Sequence, residues 1–106
     1  MRAGRRVIAV EFVAAAAEEV EEAEAWYAER NPLAADAFRA ELRHVVDAVR
    51  RNPERWSRHL AGTRRRHFRW FPFSLVYCLE PDRILVIAVV HQRRRPGYWR
   101  DRDATT

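Results

Sequence analysis

A chain of 106 residues, 48% of them hydrophobic, is long enough for one core and too short for two. Its single cysteine, Cys78, cannot form an internal disulfide, so a stapled secreted scaffold is excluded and a reducing, cytoplasmic setting is expected. The chain has 20 Arg, no Lys and 15 acidic residues, a net charge of +5; residues 1–50 carry 7 Arg against 10 acids, and residues 51–106 carry 13 against 5.

Such a basic second half implies an anionic partner: nucleic acid, an acidic protein segment, or both. Abundant Ala and Arg without Lys point to a GC-rich coding sequence, so the clustering of Arg carries more weight than its identity at one position. No apolar run reaches the roughly 18 residues that a membrane span needs, so no membrane partner is expected. The basic start, residues 1–6, is followed only by a short strand-like run, not by the apolar stretch of a secretory signal.

Residues 6–12 predict a strand, with Ile8, Val10 and Phe12 alternating with Ala9 and Glu11. Residues 14–30 predict a helix. Val13, Ala17, Val20, Ala23 and Tyr27 form one stripe, and Glu18, Glu19, Glu21, Glu22 and Glu24 fill most of the other face. That acidic face reads as solvated rather than as paired catalytic carboxylates. Asn31-Pro32 ends this helix and starts the next, since Asn caps well and Pro at the first helical position loses no needed hydrogen bond. The second helix runs to about Arg51 on a stripe of Phe38, Leu42, Val45 and Val49, and Asn52-Pro53 stops it. The short join makes the two helices an antiparallel hairpin.

Residues 53–63 read as a loop holding Trp56, His59 and Gly62. Residues 64–70 predict a strand in which Arg66, Phe68 and Trp70 alternate with Arg65, His67 and Arg69, one face mixed and one cationic. Phe71-Pro72 breaks it. Phe73 to Leu79 predicts the next strand, and Glu80-Pro81-Asp82-Arg83 a turn. Ile84 to His91 is almost continuously apolar, as a strand buried on both faces should be. The tail, Gln92 to Arg102, is basic and carries Tyr98 and Trp99; Pro96-Gly97 should turn it back onto the sheet or the first helix.

The expected fold is α+β, in the order β-α-α-β-β-β. A helical hairpin covers one face of a small, mainly antiparallel sheet. One unit spans residues 1–106, with its ordered core from about residue 6 to 100. The other sheet face has no predicted cover except the tail, so function is expected there.

The chemistry is less marked. His44, His59, His67 and His91 share no ligand spacing, so neither a metal nor another cofactor is expected. Cys78 sits mid-strand, where a thiol is usually a small core residue, and the glycines at 4, 62 and 97 make no phosphate loop. Metal-free ribonuclease chemistry needs a base, an acid and a cation near the phosphorus. Arg65, His67, Arg69, His91 and Tyr98 include those side-chain types, although a plain basic surface explains them more simply. Arg64-Arg65-Arg66 and Arg93-Arg94-Arg95, near Trp70, Tyr98 and Trp99, combine cations with stacking surfaces. That pattern suits nucleic acid or an acidic peptide laid across the sheet.

The element order is accompanied by Ala17, Trp26-Tyr27, Pro32, Ala37, Phe38, Asn52-Pro53 and the basic run from Arg64 to Arg69. It continues with Phe71-Pro72-Phe73-Ser74-Leu75-Val76-Tyr77, the apolar block from Ile84 to His91, and Arg94-Arg95-Pro96-Gly97-Tyr98-Trp99. From about Val10 to Arg102 the whole resembles the RelE/ParE superfamily, the toxins of type II toxin–antitoxin modules, also called plasmid-stabilisation proteins. The Phe71–Tyr77 block and the block running through His91 to Trp99 are similar to the patterns of the ParE-like branch.

The resemblance implies two activities. RelE-like members cut mRNA in the ribosome with Arg or Lys on the sheet and a Tyr or His near the C-terminus; ParE-like members poison DNA gyrase without that set. Here Ser74 and Gln92 fall where the ribonuclease branch carries Arg, while Tyr98 falls near its Tyr. The implied protein is therefore a ParE-like toxin that binds an essential nucleic-acid enzyme, DNA gyrase, and is held inactive by a cognate acidic antitoxin. The alternatives are a ribosome-dependent mRNA endonuclease and a non-toxic member that only binds its antitoxin. Arg93, Arg94, Arg95, Tyr98, Trp99 and Arg100 are the expected target-binding residues, and Arg64, Arg66 and Trp70 the expected antitoxin-binding ones.

Overall fold

The computed structural model of the chain describes residues 8–102, and within them the helical hairpin turns on one residue, Asn31. Helix α1 (Ala14–Arg30) ends where the Asn31 N–H donates to the Tyr27 carbonyl at 2.7 Å. Helix α2 (Pro32–Arg51) begins where the Asn31 side chain accepts from the Leu33 N–H at 3.0 Å, with Pro32 at the first helical position. One extended residue thus closes one helix and caps the next, so the two must run antiparallel.

Strands β1 (Ala9–Phe12), β2 (Ser57–Arg58), β3 (Arg64–His67), β4 (Phe73–Leu79) and β5 (Arg83–His91) form a single sheet in the order β1-β5-β4-β3-β2. All pairings are antiparallel except β1 with β5. That pair is parallel because the whole helical hairpin lies between β1 and the meander, and a crossover returns the chain in the same direction. Val13, leaving β1, donates its N–H to the Val86 carbonyl at 3.0 Å, and so α1 starts against β5. The α+β class expected from the sequence holds, and the expected β-α-α-β-β-β order gains one two-residue strand, β2, after the helices.

The core is built from α1, α2 and the helix-facing side of the sheet. Phe38 of α2 is fully buried, with the rings of Tyr27, Phe68, Phe71 and Phe73 around it at 5.3–5.7 Å. Ile84 to Val89 are all buried, as a strand flanked by neighbours and covered on both faces requires. Between Val76 and Tyr77 the register slips: Val76 pairs with Ala88 but Tyr77 with Val86, so Ile87 is skipped.

Several expectations are corrected. Residues 6 and 7 of the predicted first strand lie outside the described residues, and the strand proper begins at Ala9. The predicted loop 53–63 holds the two-residue β2 and a short 3-10 turn, Leu60–Gly62. On α1 the most buried position near the start is Ala16, with Ala17 only half-buried, and on α2 Leu42 is half-buried while Glu41 is buried.

The strand predicted over 64–70 stops at His67. The cause lies on α2: the Glu41 carboxylate accepts the N–H groups of Arg69 and Trp70, the latter at 3.0 Å, and bends the chain. Phe68 then turns inward, and its N–H donates to the Phe73 carbonyl at 2.9 Å. The alternation predicted beyond His67 is lost, and Trp70 stands out at 75% exposure. Glu41→Ala strands two N–H groups at a part-buried turn, so unfolding by urea should show a loss of about 1–3 kcal/mol. A change below a few tenths would mean that the turn forms without Glu41.

Candidate functional site

The sheet face away from the helices is where the tail folds back. After β5 the chain makes short turns: Arg94 donates its N–H to His91, Tyr98 to Arg95, Arg100 to Gly97 and Arg102 to Trp99. Gly97 has φ +78°, a left-handed conformation that side chains rarely adopt, so this turn favours glycine. The turns carry Trp99 onto the open face, where it is 2% exposed and its ring lies 5.7 Å from that of His59.

Tyr98 goes the other way, toward α1. Its hydroxyl donates to Glu19 at 2.5 Å. Arg102 donates to both Glu19 oxygens at 3.0–3.1 Å and to the Ile87 carbonyl at 3.1 Å, and the Val89 N–H donates to Glu19 at 2.9 Å. The Glu19 and Arg102 side chains are only 12% and 17% exposed. Glu19, expected on a solvated acidic face, is therefore the latch that ties the tail to α1 and closes the β5 edge beyond β1. Burial, then the bond to Glu19, raises the Tyr98 phenol well above its usual range.

Two clefts border the tail. One, of about 480 Å³, lies between α1 and the end of the sheet and is lined by Trp26, Tyr27, Phe73, His91, Arg94 and Tyr98 among others. The other, of about 370 Å³, lies on the open face; His59, Arg65, His67, Ser74, His91 and Arg94 are among its lining residues. There His67 Nδ1 is 2.6 Å from Ser74 Oγ. Burial first, and Arg65 second, hold the His59 and His67 imidazoles below their ordinary value.

Of the five side chains a ribonuclease would draw on, Arg65, His67 and His91 line this open-face cleft. Arg69 lies on the turn after β3, with its guanidinium over Trp70 at 4.9 Å, and Tyr98 is held by Glu19. Ser74 bonds to His67, and Gln92 is exposed, its N–H donating to the Pro72 carbonyl at 2.9 Å. Cys78 is half-buried, and burial followed by Glu80 pushes its thiol up, away from nucleophile chemistry.

Among the tail residues, Arg93, Arg94, Arg95 and Arg100 are exposed, and Arg94 stacks on Tyr98 at 3.9 Å. Arg64 donates to the Glu54 and Trp56 carbonyls at 2.8–2.9 Å, and Arg66 lies 4.5 Å from the Trp56 ring centre. Both are occupied within the protein, whereas Trp70 is open. Sequence reasoning missed Glu19, Glu41 and His59 as site-building residues. The first two carried a signal, because each falls inside a buried helical stripe.

Two helices over a five-stranded, mostly antiparallel sheet define a small α+β fold. The solved structure described as the "Chromosomal ParDE TA system from P. aeruginosa" shares it, with a TM-score of 0.70 at 13% identity over 80% of this chain and 96% of that chain. No curated protein matches the sequence. The family model described as "ParE toxin of type II toxin-antitoxin system, parDE" matches residues 10–96. The chain therefore belongs to the ParE toxin family of type II toxin–antitoxin systems, the branch that its Phe71–Tyr77 block and its block from His91 to Trp99 resemble. No helix among the described residues is long and apolar enough to cross a membrane.

Proposed function

We propose that this toxin arrests growth in the cytoplasm by binding DNA gyrase, not by cutting RNA, and that an acidic antitoxin neutralises it. The observation that supports this most is the tail. Arg93, Arg94, Arg95 and Arg100 are exposed and, among the described residues, have no acidic partner. The segment that carries them is pinned at Trp99 and at the Glu19 latch. A cationic surface held rigid in this way loses little entropy on docking and speeds encounter with an anionic partner.

The ribonuclease alternative fits less well. Its candidate groups are divided between separate places, the Tyr98 hydroxyl is taken by Glu19, and Ser74 and Gln92 cannot neutralise a charged phosphorus centre. Losing one such group typically costs about 10²–10³ in rate. For the antitoxin, Trp70 with Arg69 stacked on it offers an exposed aromatic anchor beside a cation, suited to an acidic, partly helical segment.

The test pairs two assays. Wild-type toxin should inhibit gyrase supercoiling and arrest growth in cells lacking the antitoxin. Arg93→Ala, Arg94→Ala and Arg95→Ala combined should abolish both, with stability changed by no more than about 0.5 kcal/mol per site. Codon-specific cleavage on translating ribosomes, lost in His67→Ala, would establish the ribonuclease instead. A wild-type chain that stops no growth yet co-purifies with the product of an adjacent small reading frame would be a member that only binds its antitoxin.

A further inference from the structure

We infer that two copies of this chain pair about a two-fold axis, each burying its Trp70 side chain in the other's cleft between α1 and the end of the sheet. The pairing concerns the chain alone and stands whether or not gyrase is the target. It shares Trp70 with the antitoxin reading, so a second copy and an antitoxin bound at Trp70 exclude one another.

Trp70 is 75% exposed, yet its backbone is fixed, because its N–H donates to the Glu41 carboxylate at 3.0 Å. The Arg69 guanidinium lies 4.9 Å from the ring centre and is in no ion pair among the described residues. Trp and Arg are the residues whose loss most often costs an interface its affinity. A turn already held in place loses little entropy when it docks. Trp70 with Arg69 therefore has the make-up of an anchor without a partner in its own chain.

The cleft of about 480 Å³ has room for an indole, and Trp26, Tyr27 and Phe73 give it aromatic walls. Trp26 is itself 52% exposed, so the rim is apolar as well as the floor. The charges select the occupant. Of the two carboxylates lining the cleft, Glu19 is spent on Tyr98, Arg102 and the Val89 N–H. Glu22 is exposed and in no ion pair among the described residues. The Arg94 guanidinium is drawn over the Tyr98 ring at 3.9 Å. Glu22 is thus left to receive a cation, and Arg69 arrives with Trp70.

Anchor and cleft lie side by side. Pro72 lines the cleft and stands two residues after Trp70, so the two Cα atoms are at most about 7 Å apart. Patches that close on one surface are both satisfied by a two-fold rotation, whereas patches on opposite sides would build an open chain. The net charge of +5 on each copy opposes association. Burial of the two indoles must therefore supply the affinity, and the two Arg69–Glu22 contacts fix the register.

The test is sedimentation equilibrium of the full chain, without antitoxin, over a wide range of concentration. A reversible equilibrium between monomer and dimer is expected. Trp70→Ala should weaken the dimer by about thirtyfold or more and leave the thermal midpoint of the dilute chain unchanged. Arg69→Glu and Glu22→Arg should each weaken it. Combined in one chain they should restore most of the loss, because the pair re-forms with its signs exchanged. That recovery cannot come from a general effect of either change on folding. A chain that stays monomeric throughout, growth beyond the dimer, a dimer as tight in Trp70→Ala, or no recovery in the combined variant would overturn the pairing.

Discussion

Trp99→Ala should cost about 3–5 kcal/mol of unfolding free energy. The ring is 2% exposed, beside His59 on a sheet face that no helix covers. Cutting it to a methyl group removes its contacts and opens a space that the strands beneath are too rigid to refill. For a chain of this size the loss corresponds to a fall in Tm of roughly 10–30 °C. Trp99→Phe keeps most of the volume and should cost much less. A loss below about 1 kcal/mol in urea would show that the face is closed without the ring. This variant also complements the triple Arg substitution: one removes the support of the tail, the other its charges.

Glu19→Ala should rank next. It leaves the Arg102 guanidinium, the Tyr98 hydroxyl and the Val89 N–H without their common acceptor in a place that water reaches poorly. Breaking a largely buried pair from one side typically costs about 3–5 kcal/mol. Glu19→Gln keeps an acceptor oxygen without the charge and should fall between wild type and Ala. Amide exchange resolved along the chain separates the latch from a general effect. Protection at Val89 and from Tyr98 to Arg102 should fall further than protection in α2. Neighbouring Glu18→Ala, on an exposed position, should change neither. If Glu19→Ala behaves like Glu18→Ala, the carboxylate has no structural role.

What the sequence made legible was local. Asn31-Pro32 needs only its own side chain and ring to end one helix and start another, and both helices have the predicted bounds. The apolar run from Ile84 needs only burial. The readings that failed depended on partners far along the chain. The strand beginning at Arg64 ends early because a carboxylate 28 residues back accepts the Arg69 N–H. Glu19 was read with its acidic neighbours, although it lies three residues after buried Ala16 and four before buried Ala23. Glu41 stands in the same relation to Phe38 and Val45. A carboxylate inside a buried stripe marks a place where backbone N–H groups need an acceptor, and that pattern is visible in sequence. The grouping of Arg65 with His67 was legible from strand alternation. The departure of Arg69 and Tyr98 from that group was not, because it follows from Glu41 and Glu19.

The skipped residue in β5 sets a phase. Ile84 and Val86 pair with Leu79 and Tyr77, and beyond the slip Val89 and His91 pair with Leu75 and Phe73, all on the side that packs under the helices. An unbroken two-residue alternation from Ile84 would have sent Val89 and His91 to the opposite side. The parity of one strand therefore decides on which side His91 stands, and His91, with Pro72, Phe73 and Arg94, lines both clefts. Ile87, left out of the pairing, offers its carbonyl to Arg102. One surplus residue thus sets the side of the sheet on which His91 stands and supplies a mooring for the chain end, and a single-residue insertion or deletion between Ile87 and His91 would move His91 to the opposite side.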